Sequence, residues 1–419
     1  MALAQWITPR IVLPGKNHRV SRVKMSGKQH YLEAASDAHA RFVFMPNHPT
    51  HSDPQLMMEV CRQLRVNPAF MAAYDVFARG KIASWLMQRT GAFSVDREGS
   101  DRKAMKCATE ILTVGRYPLV IFPEGNVYLC NDRVTPFVDG AAFIALRAQK
   151  ELGSEIPVFA VPVSLKYSYI GNVREEVLNN LSEIAREFGN KLNRNAPVTG
   201  ELKRISINVL VHYLKQHGQP TPKNGLNTDE LIRESAGLLV RSLEDKMSLA
   251  TRSGDDLTAR VRRIRAAIHG IRSDPTRKEE HDTASEHADE AMLALRILGY
   301  MGGYSLSNPT LDRVAETITR LREDITSETA APIGQREALV KICKPIDLRE
   351  YLGKFKESAR TAITKLTTDC ENAVQSGINE LNKGVDKTFE VESKEIKSSK
   401  IVFTNDQNKL INCNVFIVT

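Results

Sequence analysis

Between residues 41 and 165, short runs of consecutive apolar residues alternate with stretches whose apolar positions recur every three or four residues. RFVFM, FMAAY, AFSV, LVIF and VFAVPVSL are bounded by turn-forming residues and rich in Val, Phe and Ile, which predicts strands. DPQLMMEVCRQL, KIASWLMQRT, DRKAMKCATEILTVG and DGAAFIALRAQKEL carry helical periodicity instead. Strand–helix alternation of this kind predicts an α/β fold, a mixed, largely parallel sheet flanked by helices. In such sheets chemistry gathers in the loops just beyond the strands' C-terminal ends.

From about 171 to 335 the pattern changes to polar, charged and helical. TDELIRESAGLLVRSLEDKM, DDLTARVRRIRAAIHGI and TLDRVAETITRLREDI would each present one apolar stripe, and ISINVLVHYL (205–214) alone reads as a strand. ALVKICKPIDLREYLGKF then returns to a strand that turns into a helix, and an amphipathic helix runs to about 383. The expected organisation is a basic N-terminal segment (1–40), a core (41–170), a mostly helical insert (171–335), a late strand and helix (336–385), and a tail (386–419) without clear pattern before IVFTN and CNVFIVT.

Composition narrows this picture only in places. With 419 residues, 42% of them hydrophobic, the chain can bury a sizeable core. No apolar run approaches the ~18–20 residues of a membrane span, and MALAQWITPRIVLP lacks the continuous apolar segment of a signal peptide. The six cysteines, at 61, 107, 130, 343, 370 and 413, show no C-x-x-C pair and read as reduced thiols, so a cytoplasmic setting is expected. The net charge of +8 is uneven: the first 30 residues hold Arg10, Lys16, Arg19, Arg22, Lys24 and Lys28, and no Asp or Glu before Glu33. Beside Trp6, Ile7, Ile11, Val12 and Leu13 this fits either attraction to an anionic lipid surface or a basic, poorly ordered N-terminus. The rest of the chain is nearly neutral and aromatic-poor, which argues against nucleic acid as a partner.

Candidate chemistry begins in FMPNHPTHSDP (44–54), behind the first strand, where His48 and Asp53 stand five positions apart. Spacing carries little weight, because His269 and Asp274 in HGIRSD repeat it inside a charged helical segment. Order carries more. GAFSVDR (91–97) places Asp96 and Arg97 at a strand exit, IFPEGN (121–126) ends the next strand in a Pro-Glu-Gly turn, and AVPVSL (160–165) is a strand with Pro162 in its middle. These four ordered blocks resemble those of the glycerolipid acyltransferases, the family of 1-acylglycerol-3-phosphate acyltransferases: N-H-x-x-x-x-D, G-x-x-F-x-D-R, F-P-E-G-T-R and V-P-V. The resemblance covers about residues 40–170, and ICKPIDLREY (342–351) resembles the family's late strand and turn, which makes 171–335 an insert within one catalytic domain.

The chemistry explains the residue types. Moving an acyl group from a thioester to a hydroxyl needs a base at neutral pH, and His48 suits that task, with Asp53 orienting its imidazole. The substrate's hydroxyl is then the nucleophile, and neither metal nor cofactor is called for. The resemblance further implies that Arg97 clamps a phosphate and that Glu124 bonds a hydroxyl or a backbone amide, with Gly91, Asp96, Phe122, Pro123 and Gly125 shaping the substrate site. Asn126 and Val127 stand where the family often has Thr-Arg, which leaves Arg133, Arg102 or Lys103 to supply a second basic group. The implied reaction carries a fatty acyl chain from acyl-CoA or acyl-carrier protein to a lysophospholipid, at the cytoplasmic face of a membrane. Two alternatives stay open: a metal-dependent hydrolase on His48, His51 and Asp53, and a non-catalytic lipid-binding protein on the same fold.

Overall fold

The computed structural model describes residues 2–78, 80–96, 101–252, 254–383, 389, 400–405 and 413–418. The chain divides into two compact units, 1–173 with 329–386, and 174–328 with 387–419.

The first unit is built, in chain order, from α1 (Ala2–Ile7), β1 (Val20–Ser26), α2 (Lys28–Ala34), β2 (Arg41–Pro46), α3 (Asp53–Leu64), β3 (Ala69–Ala73), α4 (Tyr74–Ala78), α5 (Lys81–Arg89), β4 (Ala92–Val95), α6 (Arg102–Val114), β5 (Leu119–Val120), α7 (Gly140–Leu152) and β6 (Val158–Tyr169). The second unit contributes α8 (Arg174–Glu187), α9 (Val198–Gln216), α10 (Thr228–Lys246), α11 (Leu257–Ser273), α12 (His281–Leu298), α13 (Tyr304–Ser307) and α14 (Leu311–Thr326). The chain then returns to the first with β7 (Arg336–Ile342), β8 (Ile346–Asp347), α15 (Leu352–Glu357) and α16 (Ala359–Asn382), and closes the second with β9 (Lys400–Asn405) and β10 (Cys413–Val418).

The strands of the first unit form one sheet in the order β1-β7-β6-β2-β5-β3-β4, with β8 beside β6. All pairings are parallel except those of β6 with β7 and with β8. The sheet is therefore mixed and largely parallel, covered by helices on both faces as its apolar strands require. Alternation along β2 sends Val43 and Met45 to one face, among residues of α6, α7 and α16, and Phe42 and Phe44 to the other, against α2 and α3.

Two sequence expectations need correcting. Residues 20–26, placed in the N-terminal segment 1–40, are a strand of the sheet, in parallel register with β7 from Val20 opposite Arg336 to Ser26 opposite Lys341. Basic residues hide this strand from pattern reading, because Arg22 and Lys24 stand at its exposed positions. ISINVLVHYL, expected as a strand, lies inside the 19-residue helix α9. Val198, Leu202, Ile205 and Val209 are buried at spacings of three and four, and Ile207, Val211 and Leu214 bury a second side. A helix covered on more than one side loses the clean stripe that distinguishes it from a buried strand.

Within the second unit, the helices enclose a core of Leu214, Leu239, Val240, Val261, Ile264, Ala291 and neighbours. A smaller cluster joins Ile207, Val211 and Leu231 to Ile401 of β9. β9 and β10, in the segment expected as a tail, pair antiparallel.

Candidate active site

β2 delivers the chain to the site and α3 takes it away. Pro46 ends β2 and Pro49 lies in the intervening turn, and Asp53 opens α3 with Pro54 behind it in the first turn. That place, at the positive end of the helix dipole, favours the carboxylate.

Asp53 is fully buried and all its acceptor capacity is directed. Oδ2 accepts from His48 Nδ1 at 2.7 Å and from the Thr50 amide at 2.9 Å. Oδ1 accepts from the Tyr167 hydroxyl at 2.7 Å and from Thr50 Oγ1 at 3.2 Å. With Nδ1 donating to Asp53, the lone pair of His48 sits on Nε2, on the ring's opposite side.

The Pro-Glu-Gly turn comes to the same place. Gly125, at φ 72°, closes it with a bond to the Phe122 carbonyl, a conformation that glycine adopts without strain. The Phe122 ring stacks on His48, centroids 4.2 Å apart. Glu124 is buried; it accepts from the His48 amide at 2.9 Å and from the Thr135 amide at 3.3 Å, and the Thr135 side chain bonds it as well. Burial outweighs these donors and pushes its carboxyl up to about 8. Pro123 accepts from the Val138 amide and ties down the loop's far end.

The second block, GAFSVDR, sits at the β4 edge of the sheet. Gly91, at φ 82°, leads into β4 and accepts from the Phe70 amide. Asp96 lies at the exit of β4, where its amide donates to Asp101 at 3.1 Å. Asp101 also caps α6 through the Ala104 amide, and these amide donors hold its carboxyl below the usual range. Arg97 lies outside the described residues. Arg102, Lys103 and Arg133 are exposed. His51 is part-buried, and among the described residues no three His, Cys, Asp or Glu side chains come together to hold a metal ion. In the decoy pair, the His269 ring meets Ser273 Oγ, while Asp274 accepts from the amide and hydroxyl of Thr276.

Four residues of the site were not singled out in the sequence: Asn47, Thr50, Asn131 and Tyr167. β6 outruns β2 at Val163, and beyond that point two asparagines stand in for a neighbouring strand. Asn47 exchanges both amide bonds with Leu165, and Asn131 does the same with Tyr167. The extra length of β6 carries Tyr167 under Asp53. Its only sequence signal is the period-two continuation of the apolar face of Val161, Val163 and Leu165.

Residues 22–166 match a family model described as Acyltransferase. Among curated proteins, a 1-acyl-sn-glycerol-3-phosphate acyltransferase of Streptococcus pneumoniae is 28% identical over 145 residues, covering 34% of this chain and 51% of that protein. The chain thus spans about half the length of the relative it matches. The matched stretch includes β2, the turn after it and α3, which carry His48 and Asp53, so over about a third of its length the chain is similar to acyltransferases.

Proposed function

We propose that the protein transfers a fatty acyl group from acyl-CoA or acyl-carrier protein to the free hydroxyl of a lysophospholipid, 1-acylglycerol-3-phosphate above all, giving phosphatidic acid. The observation that carries this reading is the 2.7 Å bond from His48 Nδ1 to a fully buried Asp53, within a segment that matches acyltransferases. The name of the pneumococcal relative supports the acceptor.

In the reaction, His48 Nε2 takes the acceptor's hydroxyl proton as the oxygen attacks the thioester carbonyl. Asp53 steadies the imidazolium that forms. As the carbon–sulfur bond breaks, the departing thiolate recovers the proton from His48, and the base is restored. Glu124 fixes the backbone that carries His48, Phe122 covers one face of its ring, and Pro123 and Gly125 shape the turn beside it. At the exit of β4, Arg97 binds the acceptor phosphate, with Gly91 and Asp96 setting the loop that presents it.

The acceptor and product are membrane lipids, so the protein works as a peripheral protein on the cytoplasmic face. Among the described residues no helix is long and apolar enough to cross a membrane. Leu3, Trp6 and Ile11 are 70%, 54% and 61% exposed at the N-terminus, with the Arg10 guanidinium 4.9 Å from the Trp6 ring, which suits a lipid headgroup boundary.

Purified protein should move radiolabelled acyl chains from acyl-CoA to lysophosphatidic acid in anionic vesicles. His48→Gln should lower turnover by about 10³-fold. Arg97→Ala should raise KM for phosphate-bearing acceptors alone. A folded His48→Gln protein with wild-type turnover overturns the mechanism.

A further inference from the structure

The carboxylate that orients His48 is itself held from strands that lie outside its turn. The Tyr167 side chain is 1% exposed, and its hydroxyl reaches the Asp53 oxygen that His48 does not use, at 2.7 Å. Against the Tyr167 ring lies the guanidinium of Arg336 from β7, 4.6 Å from the centroid. Arg336 is buried, donates Nη2 to the His18 carbonyl at 2.7 Å and to Ser52 Oγ at 3.0 Å, and leaves Nε without a hydrogen-bond partner. A cation parked on a ring with one donor unspent is held there largely by the ring and by neighbouring negative charge. Ser52 also meets His18 Nδ1 at 3.1 Å, so the group abuts the turn that carries the dyad.

We infer that Tyr167 is a positioning residue of the acyl-transfer dyad, fixed by Arg336 and setting through Asp53 how firmly the His48 imidazole holds its proton. The inference rests on the reading of His48 as the reaction's base. Each donor on a carboxylate withdraws charge from it and weakens its hold on a neighbouring N–H. Removing the Tyr167 hydroxyl therefore strengthens the His48–Asp53 bond and makes the imidazole harder to deprotonate. Among the described residues, the charged and titratable groups near the pair include Arg336 from β7, His18 from the N-terminal turn, His51 from its own turn, Glu124 from the loop after β5, and Tyr167. Burial and the nearby Asp53 charge keep the Tyr167 phenol protonated, so it remains a donor throughout the working range. A buried tyrosine that merely needed a partner would affect stability alone.

The test compares wild type, Tyr167→Phe and Tyr31→Phe, the last losing a buried phenol from the same apolar cluster away from Asp53. Acyl-CoA and lysophosphatidic acid are the substrates, and kcat/KM is followed against pH. In parallel, carbon-13 histidine labelling follows the titration of the His48 ring, assigned by its loss in His48→Gln. Tyr167→Phe should lower kcat about tenfold and move both the acid limb of the profile and the ring titration upward by about half a pH unit or more. Tyr31→Phe should move neither. A folded Tyr167→Phe protein with an unmoved limb and unmoved titration overturns the inference, whatever its kcat. Wild type without turnover would sink the acyl-transfer reading, and the ring titration would still decide the role of Tyr167. Should Tyr167→Phe not fold, 3-fluorotyrosine at position 167 keeps the ring and sharpens the donor. Both midpoints should then fall, and an upward move or none overturns the inference.

Discussion

Glu124 carries a carboxyl that ionises reluctantly, and the sign of its effect on stability follows. Its folded value of about 8 lies above the ordinary 4.5, so between those values the folded protein retains a proton that the unfolded chain has lost. Stability accordingly declines as pH rises from about 4.5 toward 8, by an amount of order 3 kcal/mol. Urea midpoints of Glu124→Gln should show that slope flattened, and a slope equal to wild type would show that the carboxyl ionises as freely folded as unfolded. His18 acts with the opposite sign. Burial and then the nearby Arg336 charge depress its value, so stability falls away as pH drops through the ordinary histidine range. At this scale the sequence revealed the residues that recur in ordered blocks, and the fold brings His48, Asp53, Phe122 and Glu124 together. Tyr167 and Arg336 escaped because nothing local marks them. One continues an apolar strand face, and the other reaches the site from β7, far along the chain.

Among the elements, β6 governs the site because it is longer than its parallel neighbour. Pairing with β2 stops at Val163, yet the strand continues to Tyr169 with β7 on its other side. The orphaned backbone groups are satisfied by Asn47 and Asn131 instead of a strand. Asn131→Ala would leave the amide and carbonyl of Tyr167 buried without those partners, at a cost of about 2–3 kcal/mol. A fall in urea midpoint with the m-value unchanged is the expected reading, and an unaltered midpoint would mean that water replaces the asparagine there. On the opposite face α16 comes close enough that a Cβ on Gly377 would stand 2.1 Å from Ser164 Oγ, which explains a glycine in mid-helix. Strand periodicity exposed the central strands of the sheet, whereas β1 was masked by its basic exposed positions and α9 by burial on more than one side. Hairpin-like substitutes such as the two asparagines have no pattern to detect.

At the scale of the whole chain, the boundary between units is crossed near 173, 328 and 386. The second unit therefore contains a C-terminal segment as well as the insert. Ile401 of β9 is fully buried with Ile207, Val211 and Leu231, and its backbone accepts from the Gly225 amide and donates to the Leu226 carbonyl. Removing residues 387–419 should lower the melting temperature of the 174–328 helices and leave that of the sheet unit unchanged. Two calorimetric transitions of which only one moves would meet this expectation, and two unmoved transitions would refute it. The sequence showed an insert with a tail after it, but the tail joins the insert's unit through scattered contacts, the Ile401 cluster and the bond from the Phe389 amide to the Pro309 carbonyl among them, that no periodicity announces.

The late arrival of β7 and α16 bears on how the protein is made. Ser26 Oγ bonds the Val340 carbonyl across 314 residues, and Ser164 Oγ bonds the Val374 carbonyl across 210. A nascent chain that has just completed β6 therefore holds both β1 and the long edge of β6 with no partner. At about 5–20 residues per second, the ribosome needs roughly 10–40 seconds to supply the missing strand and helix. For that interval two apolar strand edges stay open to pairing with other chains. The segment that bears His48 and Asp53 is thus synthesised well before the strand and helix that complete its sheet, and until they arrive those edges are a place where aggregation can begin.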